Sequence, residues 1–130
     1  MILEGKVLAA ILSSALAPAI TADNVQQKRS PLRGKLNRQI LSEQLTLIDD
    51  PTHPWLYGTK EFDDEGVATK RNTIVSNGVL RNYIYDTYTA KKDGLESTGN
   101  CMRAMYTTLP QITCNNLRIQ PGDRRLDTLI

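Results

Sequence analysis

Two residues, Asn77-Gly78, constrain the fold of this chain more than any others. A two-residue type I′ hairpin loop needs positive φ at both central positions, and Asn-Gly meets that need at low steric cost. The dipeptide lies between two strand-like runs, Val67 to Ser76 and Val79 to Tyr85. The pattern predicts an antiparallel hairpin in which Val75 faces Leu80 and Thr73 faces Asn82. Ile74 departs from strict alternation, so the turn carries this reading more than the register does.

The segments around the hairpin set the class. Leu3, Val7, Leu8, Ile11, Leu12, Ala15 and Leu16 share one helical face, with Ala9, Ala10, Ser13, Ser14 and Ala17 behind them. That spacing predicts an amphipathic core helix, which Pro18 ends or kinks. Thr21 is placed to N-cap a short second helix through Lys28, and Ser30-Pro31 breaks it. Arg33-Gly34-Lys35 reads as a turn, and Leu36 to Ser42 as extended chain or a helical turn. Gln44 to Asp49 alternates like a strand; the prolines and glycine from Asp50 to Gly58 mark a loop. Thr87 to Lys92 predicts a short helix stopped at Gly94, and Gln111 to Ile119 a strand. Pro121-Gly122-Asp123 introduces a final helix, Arg124 to Ile130, with Asp123 as N-cap. Helices followed by antiparallel strands give an α+β class: N-terminal helices, then a twisted antiparallel sheet. The 130 residues suffice for a single domain, 1–130, with one core.

Charge narrows the function. Sixteen basic and 14 acidic residues are scattered, for a net charge of +2. The densest basic cluster, Lys28 to Lys35, is interrupted by Ser30, Pro31 and Leu32, so no stripe for direct nucleic-acid binding forms. The N-terminus resembles a secretion signal, with Lys6, apolar Val7 to Ala17, and small-x-small steps at Ala15-Leu16-Ala17 and Ala17-Pro18-Ala19. Glu4 and the helical spacing argue instead for a core helix, and the run is too short to span a membrane. Cys101 and Cys114 allow one disulfide in an oxidising compartment. A small secreted binding protein, trimmed after about residue 19 and closed by a Cys101–Cys114 bridge, is therefore the alternative.

Few residues offer chemistry. Asp63-Asp64-Glu65 could hold a hard cation, but neighbouring side chains diverge, and a solvated turn closing at Gly66 is favoured. His53, beside Asp49 and Asp50, is the one histidine and reads as a packing or surface residue. Cys101 would need a general base to act as a nucleophile, and Arg103 alone is weak support for a cysteine hydrolase. Ser97-Thr98-Gly99-Asn100 lacks the ending of a phosphate loop and reads as a shaped turn.

Taken in order, FDDEGVATKRNTIVSNGVL, YDTYTAKKDGLESTGNCMR, a Leu-Pro step and LRIQPGD resemble the C-terminal domain of the TldD/PmbA family. Ser30, Gly34-Lys35-Leu36 and the stretch from Leu45 to Pro51 fit upstream. The resemblance implies a cytoplasmic peptidase system, named in older language as modulators of DNA gyrase, that processes small peptides and proteins. Its TldD-type subunit binds metal through HExxxH. The PmbA (TldE) type lacks that motif, and the two form a heterodimer. Carried onto this chain, the histidine positions fall on Ser13 and Pro18 and the glutamate on Ser14. A hydroxyl and a proline ring cannot replace imidazole, and no carboxylate remains as a base.

The resemblance thus implies a non-catalytic PmbA-type chain with no cofactor of its own and zinc in a TldD-type partner. Expected partners are that catalytic subunit or a second copy, and a peptide substrate; no membrane is implied. The family's domains extend before Met1 and beyond Ile130, so the chain is expected to be an excerpt. The further cysteine ligand of TldD-type members lies in that extension, and neither Cys101 nor Cys114 inherits the role. Asp63, Asp64, Glu65, Gly66, Gly94, Ser97, Thr98, Gly99, Asn100 and Arg103 are expected to shape a structural motif or line a peptide cleft.

Overall fold

The computed structural model describes residues 4–122. Leu3 and the helix expected from Arg124 to Ile130, with its cap Asp123, lie outside them. The first helix is continuous but changes pitch: α1 (Gly5–Ile11), a π-helical turn (Leu12–Leu16), then α2 (Ala17–Ala19). The Ala17 N–H reaches back five residues to the Leu12 carbonyl. Pro18 accounts for the wider turn, since it donates no N–H and its ring would clash with the carbonyl four residues back in an α-helix. The expected core helix is corrected here. No residue of α1 is buried, and Val7 and Ile11 are about half exposed (46% and 48%); only Leu12 and Leu16 pack against the core.

Next comes α3 (Ala22–Gln26), shorter than the helix expected through Lys28. Thr21 occupies its N-cap position without capping it, because its hydroxyl donates to the Pro18 carbonyl at 3.0 Å. The chain then runs beside Ile84: the Ala22 N–H donates to Ile84 O and the Ile84 N–H to Ile20 O, at 2.9 and 3.0 Å. Ile20 and Ile84 are thereby sealed from water.

Four strands form one antiparallel sheet in the order β3-β2-β1-β6: β1 (Leu47–Asp49), β2 (Asn72–Ser76), β3 (Val79–Leu80) and β6 (Leu117–Ile119). The hairpin turn forms at Asn77-Gly78, both at positive φ (48° and 76°), and Val75 pairs with Leu80 as expected. The second expected pair does not form. The N–H groups of Arg81 and Asn82 both turn onto Ile74 O, which ends the ladder. Thr73 pairs instead with Ile48 of β1. Leu36 to Ser42 runs irregularly along the hairpin, with Asn37 and Arg38 bonded to Leu80 and Ile40 and Leu41 to Gly78.

Leu47, Ile48, Ile74 and Val75 are all buried although neighbours point to opposite faces, so both faces of the sheet centre are covered. Burying each such side chain contributes about 1.5–3 kcal/mol. Around this core close α4 (Thr87–Asp93) and a two-stranded ribbon of β4 (Cys101–Met102) and β5 (Gln111–Ile112). The strand expected from Gln111 to Ile119 is therefore split between two sheets.

Candidate functional site

The residues of the Asp63–Gly66 turn do not converge on an ion. Asp63 is buried rather than solvated: Oδ1 accepts from the N–H groups of Glu65 and Val67, and Oδ2 from that of Cys101. Asp64 accepts from the Arg103 N–H at 2.6 Å, and Glu65 from the Thr87 N–H at 2.8 Å. Three carboxylates in a row thus clamp three different segments of backbone. Gly66 closes the turn, and Gly94 caps α4 at its C-terminus.

The same economy holds for Ser97 to Asn100. The Ser97 hydroxyl donates to Tyr85 O and accepts from the Gly99 N–H, both at 3.2 Å. Thr98 accepts from the Tyr85 N–H, and its single hydroxyl proton lies within reach of Tyr85 O and Asn100 Oδ1. Gly99 passes so close to another segment that a Cβ would lie 2.9 Å from Ala68 O.

Asn100 is fully buried and fully used. Its Nδ2 donates to Asp49 Oδ2 (2.7 Å) and Thr113 O (3.0 Å); its Oδ1 accepts from Asn72 Nδ2 at 3.2 Å and faces the Thr98 hydroxyl. Asp49 Oδ1 in turn accepts from the N–H groups of Asn115 and Asn116, at 2.9 and 2.7 Å. Those bonds take two N–H groups out of any ladder, which is why the chain bends between β5 and β6. Burial pushes the Asp49 carboxyl above its ordinary value, against the pull of Asn100, Asn116 and Asn115. Neighbouring Asp50 shifts the other way: despite the cost of burial, Thr52 and Arg118, 3.4 Å away, hold it low.

Both cysteines are free thiols. Burial, then the carboxylates of Glu65, Asp63, Asp86 and Asp64, push Cys101 up to about 11. Burial and Asp49 push Cys114 up to about 12. A nucleophilic thiol needs the opposite shift. His53 stays in its loop, with Nδ1 2.9 Å from Pro54 O.

A groove of about 630 Å³ lies elsewhere on the molecule, walled by the helical turn at Ser13–Pro18, by α3, by α4 and by Leu109–Cys114. Of the residues singled out in the sequence, Ser13, Pro18, Thr21 and Cys114 border it; Ser97 borders a shallower depression of about 460 Å³. Five residues apart, Ser13 and Pro18 would lie about 140° apart on a regular α-helix. The π turn between them brings both to the groove. The Ser14 hydroxyl bonds back to Ala10 O in its own helix at 2.8 Å.

The residues here do not fit a zinc ion. The helix wall offers a hydroxyl and a proline ring, and no group of three His, Cys, Asp or Glu side chains among the described residues is placed to hold a metal. Asp86, Tyr88, Thr89 and Lys92 line the opposite wall. The sequence reading missed this wall, although Asp86 ahead of a short helix is a recognisable cap: its Oδ1 accepts from the Thr89 N–H at 2.8 Å.

Comparison with known proteins agrees with this architecture. A family model described as the PmbA/TldA metallopeptidase C-terminal domain matches residues 1–130. A metalloprotease of Methanocaldococcus jannaschii is 35% identical over 130 residues, 100% of this chain and 29% of its own length. A metalloprotease PmbA homologue of Buchnera aphidicola subsp. Acyrthosiphon pisum is 41% identical over 88 residues, 68% of this chain and 20% of its own. Among solved structures, TldE from Thermococcus kodakarensis superposes with a TM-score of 0.87 at 36% identity, over 94% of this chain and 28% of that one. The chain thus spans less than a third of the length of these relatives. Matched along its whole length in sequence and closely in structure, the chain belongs to the TldD/PmbA family.

Proposed function

We propose that this chain serves as a non-catalytic part of a TldD/PmbA-type peptidase system. It pairs with a TldD-type catalytic subunit that carries the zinc, or with a second copy of itself, and its groove helps to seat the peptide. One observation supports the reading: Ser13 and Pro18, at the positions where the family resemblance puts metal-binding histidines, border the groove and offer no metal ligand. The likeness to a TldE structure and to a PmbA homologue supports the same assignment.

The test is zinc content and peptide cleavage by the purified full-length protein, alone and mixed with a TldD-type protein from the same cell. Alone, it should hold no stoichiometric zinc and leave an unstructured peptide intact. Mixed, the two should co-elute and the peptide should be cut. Stoichiometric zinc in the isolated protein, with peptide degradation that a chelator stops, would sink the proposal.

A further inference from the structure

Asn77-Gly78 carries a chemical hazard as well as a turn. In an unstructured chain an Asn-Gly pair loses its side-chain amide readily, because glycine has no side chain to hinder attack by its own backbone nitrogen. Hydroxide takes the proton from the Gly78 nitrogen, which bonds to Asn77 Cγ. The Cγ–Nδ2 bond breaks, and that nitrogen takes a proton from water and leaves as ammonia. Water then opens the cyclic imide at either carbonyl. The product is aspartate, or isoaspartate with one more atom in the backbone.

The fold exposes one reactant and holds the other. Asn77 is exposed, whereas Gly78 is buried. The Gly78 N–H, which would have to attack, donates to Leu45 O at 2.8 Å. The Gly78 carbonyl accepts from the N–H groups of Ile40 and Leu41, at 2.9 and 3.1 Å. A Cβ on Gly78 would meet Gln39 Nε2, Leu41 O and Ser42 O within 2.7 Å, so the residue has no room to swing toward the amide. The Asn77 N–H is also held, by the Thr46 hydroxyl at 3.1 Å. The groups that clamp Gly78 all belong to residues 39–45, which lie along the edge strand β3 and its turn. Ile40, Leu41 and Leu45 of that segment pack against the core.

We propose that Asn77 is a gated deamidation site, which reacts only when residues 39–45 lift from the hairpin and release the Gly78 nitrogen. Lifting brings Ile40, Leu41 and Leu45 into water, so the gate is a local opening held shut by apolar packing as well as by hydrogen bonds. Hydrolysis does not restore the amide. Each opening that ends in reaction therefore leaves a permanent mark on the edge of the sheet.

The test is mass spectrometry of the full-length protein held at mildly alkaline pH. The tryptic peptide Asn72 to Arg81 is read for the mass gained when an amide becomes an acid, and fragment spectra separate Asn77 from Asn72. Asn77 in the folded protein should react at least about tenfold more slowly than in the same protein unfolded in guanidinium chloride. Below the unfolding transition the rate should climb with denaturant, because the opening exposes surface. Leu41→Ala, its fold checked by circular dichroism, should speed the reaction about tenfold by loosening the packing of the segment. A folded rate equal to the unfolded one overturns the proposal, as does a rate that stays flat in denaturant up to the transition. An unchanged rate in a folded Leu41→Ala variant overturns the role given to residues 39–45.

Discussion

At the scale of single residues, Asn100 shows how much structure one amide can hold. It links β1 through Asp49, β2 through Asn72 and the Thr113 backbone, with no lone pair or proton left over. Asn100→Ala would leave a buried carboxylate oxygen and a part-buried carbonyl without this donor. Losing a charged-group bond plus a neutral one predicts a destabilisation of about 2–4 kcal/mol, read as a drop in the urea midpoint at unchanged slope. A loss under about 1 kcal/mol would mean that water replaces the amide. Ser97, Thr98, Gly99 and Asn100 were legible in the sequence as a turn, because those residue types bond locally or tolerate positive φ. Their distant partners were not, since a hydrogen bond between Asn100 and Asp49, 51 residues apart, leaves no local signature.

At the scale of elements, the Asn77-Gly78 turn was read correctly and the strands beside it were read too long. Strand propensity extends from Val67 to Tyr85, but ladder pairing stops where other groups claim the backbone. Gly78 is more constrained than its turn type requires. An added Cβ would lie 2.4 Å from Leu41 O and 2.7 Å from Ser42 O, at a φ of 76°. Gly34 has nearly the same φ, 70°, with nothing within 4 Å. Gly34→Ala should therefore cost only the left-handed strain, about 1–2 kcal/mol. Gly78→Ala should cost at least about 1 kcal/mol more, because the loop along the hairpin must move. Chemical denaturation of the two variants decides it, and equal losses would show that the loop yields freely. The helix at the N-terminus carries the opposite lesson. Its apolar spacing is real, yet periodicity identifies a face without saying what covers it.

At the scale of the whole molecule, stability should carry the imprint of Asp49. Its pKa is raised above the ordinary 3.8 in the folded state, chiefly by burial. Such a group contributes its full stability below the unfolded value and loses it as pH rises through the folded one. The free-energy difference between the native chain and Asp49→Asn should therefore shift against the native chain as pH rises above 3.8, then level off. Asp50, held low, works in the opposite sense, which is why the comparison needs the variant rather than the pH profile of the native protein alone. A difference that moves in favour of the native chain over that window would show a depressed carboxyl instead. The sequence by itself determined the class, the hairpin turn, the α4 stop at Gly94 and the family resemblance, because turn chemistry, helix stops and motif order act over a few neighbouring residues. Only the tertiary structure decided that Asp63 and Asp49 are buried clamps, that the last strand divides, and that a π turn brings Ser13 and Pro18 to one groove. Each of those depends on which distant backbone groups remained to be satisfied once the core had closed, and that is settled in space rather than along the chain.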